Sequence, residues 1–165
     1  MGILNAAVWC GSAIFLTLGL PAVFSAELKK LLTAPGVGFA AEAVVARFFL
    51  LQYACGAIAL AHFLAEWIYC GRQVRRLNLA LVLGLLALAL AGGLWAQPKM
   101  RTLHEVKYFG KTAEQQAQAG KSFALWHGAA ESVNLLVIGG LIVYLWRVSG
   151  PPESPRLSSF SKIRA

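Results

Sequence analysis

Apolar residues fill four stretches of about twenty positions each, roughly residues 3–24, 48–69, 77–96 and 123–146. A helix needs about 20 apolar residues to cross the hydrocarbon core of a bilayer, so each stretch is long enough to span one. Alternating apolar and polar residues, the mark of a membrane β-barrel, are absent. Backbone groups find no water partner in lipid, and the spans are therefore expected to be helices. The pattern predicts an all-α fold, an integral membrane bundle of four antiparallel transmembrane helices, forming one domain over residues 1–148. Residues 149–165 (SGPPESPRLSSFSKIRA) are rich in Pro and Ser and are expected to form a disordered tail.

The connections carry their own signals. Pro35-Gly36-Val37-Gly38 reads as a breaker cluster in the first connection. The Ala-rich run after it is expected to start the second helix before the membrane edge. Around Arg72 the second connection reads as a tight turn. Pro98 is expected to stop or kink the third helix. Beyond it, Met100, Leu103, Val106 and Phe109 fall at helical spacing with basic residues between them, which predicts a short amphipathic helix lying at the membrane surface. Trp9, Trp67, Trp95, Trp126 and Trp146 fall near span ends, where amphipathic rings collect at the interface. Small residues at four-residue spacing, Ala57/Ala61/Ala65 and Ala89/Gly93, would let helices approach closely.

Composition agrees with a membrane chain, since 13% charged residues is about half the share of a soluble domain. The net charge of +8 could point to nucleic acid in a soluble protein. Here the basic residues flank the apolar spans, where topology control and anionic lipid account for them, and nucleic acid is not an expected partner. Four spans put seven Lys and Arg residues on the side of the termini and eight on the other. Arg72, Arg75 and Arg76 crowd one short loop, where the positive-inside rule acts most strongly, so both termini are expected in the cytoplasm; the alternative has both termini outside. No Lys or Arg precedes the first apolar run, and Phe24-Ser25-Ala26 has a bulky residue where a signal cleavage site wants a small one. The first span is expected to be retained. Cys10, Cys55 and Cys70 form no CxxC pair and read as small buried apolar residues.

Polar residues inside the spans are the candidates for chemistry, because ionisable groups in a membrane usually face the bundle interior or water. The third span has none and reads as the lipid-facing helix. The second carries Gln52, Cys55, His62 and Glu66 within an arc of about 80°, and the fourth carries His127, Glu131 and Asn134 within about 60°. The two stripes are expected to face each other. His62 with Glu66 and His127 with Glu131 are each four apart, which brings the side chains together, and a carboxylate can hold an imidazole tautomer. At 1.5 Å per residue the two histidines lie on the order of 18 Å apart in depth. Ligands of one metal must converge at about 2 Å from it, so no shared metal site is expected. Gln52 and Glu131 lie at a depth similar to His127, with Arg47 in reach at the membrane edge.

Three motifs carry a family resemblance: Gly19-Leu20-Pro21-Ala22-Val23-Phe24, Gln97-Pro98-Lys99-Met100-Arg101, and Phe123-Ala124-Leu125-Trp126-His127-Gly128 followed by Ser132 and Asn134-Leu135-Leu136. Together they resemble the transmembrane-protein-205-like family, over about residues 3–148. The resemblance implies four transmembrane helices and, for the bacterial members, no assigned activity. The proline ending the first span is also similar to a wider group of small membrane proteins that would imply haem, but the first span has no matching histidine.

The reading is thus a non-enzymatic multi-pass protein of the plasma membrane, the inner membrane in a bacterium. It is expected to handle protons, ions or a small solute through His127, Glu131, Gln52, Asn134, His62 and Glu66. No cofactor and no catalytic residue are expected. The alternatives are an accessory subunit of a larger membrane complex and a haem-associated oxidoreductase. The expected partners are the lipid bilayer and either further copies of the chain or such a complex.

Overall fold

The structure, a computed structural model, describes residues 2–24, 30–71 and 76–150. Four long helices dominate them: α1 (Gly2–Val23), α2 (Ala34–Cys70), α3 (Arg76–Phe109) and α4 (Ala113–Ser149). Each is long and apolar enough to cross a membrane, and no strand occurs among the described residues. The all-α fold is as the apolar pattern predicts, and the chain is a multi-pass membrane protein. The expected tight turn over Arg72 and the tail beyond Gly150 lie outside the described residues.

The helices form a ring in which α1 and α3 each pack against both α2 and α4. Along α1, Gly2 lies beside His62 and Val148, Asn5 reaches Cys55, Trp9 reaches Gln52 and Tyr144, and Thr17 reaches Asn134. Along α3, Asn78 bonds Arg147, Leu85 meets Gly140, and Trp95 meets Trp126. Numbering rises along each helix as it falls along the neighbour. Trp9, Val82, Leu141 and Tyr144 are fully buried and fill the centre with Cys10, Cys55 and Phe63.

Trp9 corrects one expectation. Trp67, Trp95 and Trp146 are exposed, as interfacial rings should be, but Trp9 lies in the bundle centre. A buried indole needs a partner for its N–H, and Gln52 supplies one by accepting from Trp9 Nε1. The small-residue stripes divide in the same way. Ala57 and Ala61 are exposed, whereas Ala89 and Gly93 lie where α3 meets α2. A Cβ at Gly93 would collide with Tyr53 Oη, so this close approach needs glycine.

Helix α2 begins earlier than the breaker cluster implied. Thr33 caps it, its hydroxyl accepting from the Gly36 N–H at 3.3 Å, and Pro35 sits in the first turn. There a missing N–H costs nothing, because that donor would be orphaned anyway. Helix α2 ends at Gly71, whose φ of 60° is the left-handed conformation glycine tolerates. Its 37 residues make a rod of about 55 Å, well beyond the roughly 30 Å of a bilayer core.

Helix α3 also runs on, straight through Pro98. The turn before the proline, Gly92–Ala96, is π-helical, and Gln97 N–H bonds the Gly92 carbonyl five residues back. The wider turn makes room for a ring that would otherwise crowd the carbonyl four residues earlier. The same device precedes Pro21, where Phe15–Gly19 is π-helical. The expected surface helix is therefore the last third of α3, Gln97–Phe109. It packs on α4 and α2 rather than lying alone. Met100, Leu103 and Val106 are half-buried, Phe109 is exposed, and His104 is the residue it buries most.

Candidate functional site

Beyond the apolar spans, the first turns of α2 and α4 and the last turns of α3 form a three-helix extension. Its centre is His104, only 4% exposed. Across from it on α2 stands Glu42, with Oε1 3.6 Å from His104 Nδ1. Aromatic rings wall the imidazole. Phe39 of α2 meets it edge-on at 5.1 Å, Tyr108 of α3 at 4.9 Å, and Phe123 of α4 lies at 5.8 Å. Gly38 forms the remaining wall, where a Cβ would collide with Nε2 of the ring. The local sequence explains the convergence. Gly38 and Glu42 are four apart on α2, and His104 and Tyr108 are four apart on α3, so each pair shares one helix face.

Glu42 Oε1 and His104 Nδ1 are both buried and have no hydrogen-bond partner among the described residues. Buried polar atoms are rarely left so. At 3.6 Å they are just beyond bonding distance, and a small closing movement would join them. Other charges stand around the pair. Arg101 and Glu105 of α3, themselves 3.3 Å apart, are close enough to act on the Glu42 charge. The Lys107 ammonium lies over the Tyr108 and Phe123 rings at 5.1 and 5.5 Å. At the turn between α3 and α4, Glu105, Val106, Phe109, Gly110, Lys111 and Gln115 line an open groove of about 440 Å³.

The six residues singled out from the sequence are not brought together. Gln52 is buried and bonded to Trp9. Asn134 donates to Thr17 Oγ1 at 2.5 Å. His62 pairs with Glu66 at 3.5 Å beside Gly2, at the opposite end of the bundle from His104. His127 pairs with Glu131 at 3.1 Å, and both are exposed, with side chains 55% and 66% accessible. The His127 ring stacks on Phe123 at 5.8 Å. The polar stripes of α2 and α4 therefore do not face each other. Each helix turns its principal contact face toward α1 and α3, and Gln52 and Asn134 bond separately to α1. The i to i+4 spacing did bring each His to its own Glu, as the helix repeat requires. Among the described residues no three His, Cys, Asp or Glu side chains gather as metal ligands. Cys10 and Cys55 are buried free thiols.

His104, Glu42 and Asn5 were not singled out from the sequence. Glu42 did leave a signal, as the lone charge in the apolar run 37–46. His104 stands in the polar-looking segment after Pro98, where a histidine reads as solvated. Asn5, whose Nδ2 donates to the Cys55 carbonyl at 2.9 Å, sits too near the chain start to look intramembrane.

The profile of the DUF4149 family, a domain of unknown function, matches residues 4–108, and the chain belongs to that family. The match takes in Glu42 and His104 and ends before His127 and Glu131. It agrees with a membrane domain of unassigned activity and does not confirm the transmembrane-protein-205-like name. No curated protein and no solved structure gives a significant match.

Proposed function

We propose that this DUF4149 member handles protons at the edge of the membrane, with the buried Glu42–His104 pair as the group that takes up and releases the proton. The observation that supports it is the pair itself, a carboxylate oxygen and an imidazole nitrogen 3.6 Å apart, both buried and neither with a hydrogen-bond partner among the described residues. An imidazole is the side chain that ordinarily exchanges its proton near neutral pH, and burial makes the charge state of such a pair matter to packing. A proton held between the two atoms would draw α2 and α3 together, and its loss would let them part. The charged and titratable groups around the pair are Arg101, Glu105, Lys107 and Tyr108 of α3, while α4 presents Phe123.

The role is non-enzymatic and the proposed location is the plasma membrane. The Arg72, Arg75 and Arg76 cluster supports a topology with both termini in the cytoplasm. The Glu42–His104 end of the bundle then faces outward, where external protons reach it first.

Purified protein in liposomes with an entrapped pH dye tests the reading. Under an imposed pH gradient, wild type should move protons, and Glu42→Gln and His104→Gln should not. Infrared difference spectra between acid and neutral buffer should show a carboxyl band that Glu42→Gln removes. Proton movement and spectra unchanged in both variants would end the proposal. Size-exclusion elution identical to wild type shows that the variants fold.

A further inference from the structure

We infer that the exposed Arg101–Glu105 pair sets the pH at which the buried Glu42–His104 pair takes up its proton, and makes that pH depend on salt. The inference rests on the proton-handling reading above. Arg101 and Glu105 act through the buried pair as positioning residues and are not themselves the site of the proton.

The first argument is where the charges stand on α3. At about 100° per residue, Tyr108, Arg101 and Glu105 lie roughly 40°, 60° and 100° around the helix from His104, all on one side. Glu42 of α2 is on that side too, because Arg101 and Glu105 are both close enough to act on its charge. Lys107 lies about 60° the other way. Its stem runs along Gly120 of α4, and its ammonium lies over the Tyr108 and Phe123 rings. Lys99, also exposed, stands about 140° from His104, on the far face. The charged and titratable groups around the imidazole are thus Glu42 from α2 and Arg101, Glu105, Lys107 and Tyr108 from α3. Helix α4 presents Phe123, with His127 stacked on that ring.

The second argument is exposure. Arg101 Nε and Glu105 Oε1 are 3.3 Å apart, with side chains 67% and 49% accessible. A pair this open contributes little to the fold. Its order is also the weaker one for a helix, which prefers the acidic residue four before the basic one. Glu42 Oε1 and His104 Nδ1 are buried instead, and a charge acts more strongly on a group shielded from water. The Arg101 guanidinium disfavours an added proton on the buried pair, and the Glu105 carboxylate favours it. Salt screens both, because both are open to water.

The test follows against pH the infrared carboxyl band of the purified protein that Glu42→Gln removes. Arg101→Gln should raise its midpoint by about 0.5 pH unit, roughly a threefold change in proton affinity, and Glu105→Gln should lower it by about as much. Salt raised from about 0.01 M to about 1 M shortens the screening length from roughly 30 Å to roughly 3 Å, and should remove most of both shifts. Lys99→Gln removes an equally exposed charge from the far face and should leave the midpoint in place. Midpoints that stay put in both variants, or move the same way, overturn the inference. So does an equal shift from Lys99→Gln. A wild-type protein without a Glu42 band gives a different result, because it removes the proton-handling reading and this inference with it.

Discussion

Two histidine–carboxylate pairs of this chain differ in how they are made. His127 and Glu131 lie on one helix, 3.1 Å apart and open to the surroundings. His104 and Glu42 lie on two helices, 3.6 Å apart, walled by three aromatic rings and a glycine. Helix geometry alone creates the first pair, so it says little about the fold. The second exists only because α2 and α3 both continue past the membrane and pack there. A pair walled by neighbouring helices couples to their packing, whereas a pair held by one helix's own repeat does not depend on it.

That contrast breaks down if the buried pair proves no more sensitive than the exposed one. The largest effect is expected from His104→Ala. It removes a buried ring packed among Phe39, Tyr108 and Phe123 and leaves a cavity, at a cost of about 3 kcal/mol, read as a lowered midpoint in thermal unfolding. Gly38→Ala comes next. Its Cβ collides with the imidazole, and overpacking of this kind costs about 2 kcal/mol, although residue 38 carries no polar group of its own. A double-mutant cycle on Glu42→Gln and His104→Gln should then give a coupling of about 1 kcal/mol or more. The same cycle on His127→Gln and Glu131→Gln in detergent should give a smaller coupling, about 0.6 kcal/mol. The smallest effect is His127→Gln alone, which should change stability by less than about 0.5 kcal/mol. Equal couplings in the two cycles would show that the wall around His104 does not set the pair apart.

Much of the architecture was legible in advance. Hydrophobic length marked the four spans. The misreadings have specific causes. Pro35 and Pro98 read as punctuation in the sequence, but Thr33 capping turns the first into a helix start, and a π-turn carries α3 through the second. Trp9 has the span-end position of an interfacial ring, but Gln52 satisfies its N–H in the bundle centre. Gln52 and Asn134 looked like members of a site, and each is bonded to α1 instead. Helical-wheel angles order residues around one axis and carry no information on which neighbour a face meets.

The sequence by itself determined the number of spans, their helical state and the two i to i+4 His–Glu pairs. These follow from the thickness of hydrocarbon, from the need to satisfy every backbone group inside it, and from 3.6 residues per turn. The tertiary structure alone decided that Trp9 is core, that His127 and Glu131 face outward, and that Glu42 meets His104. Residues 62 positions apart in the chain come within 3.6 Å only when two helices agree in rotation and in depth. That agreement is set by packing, here by Gly38 against the imidazole and by Gly92 and Gly93 against Phe49 and Tyr53.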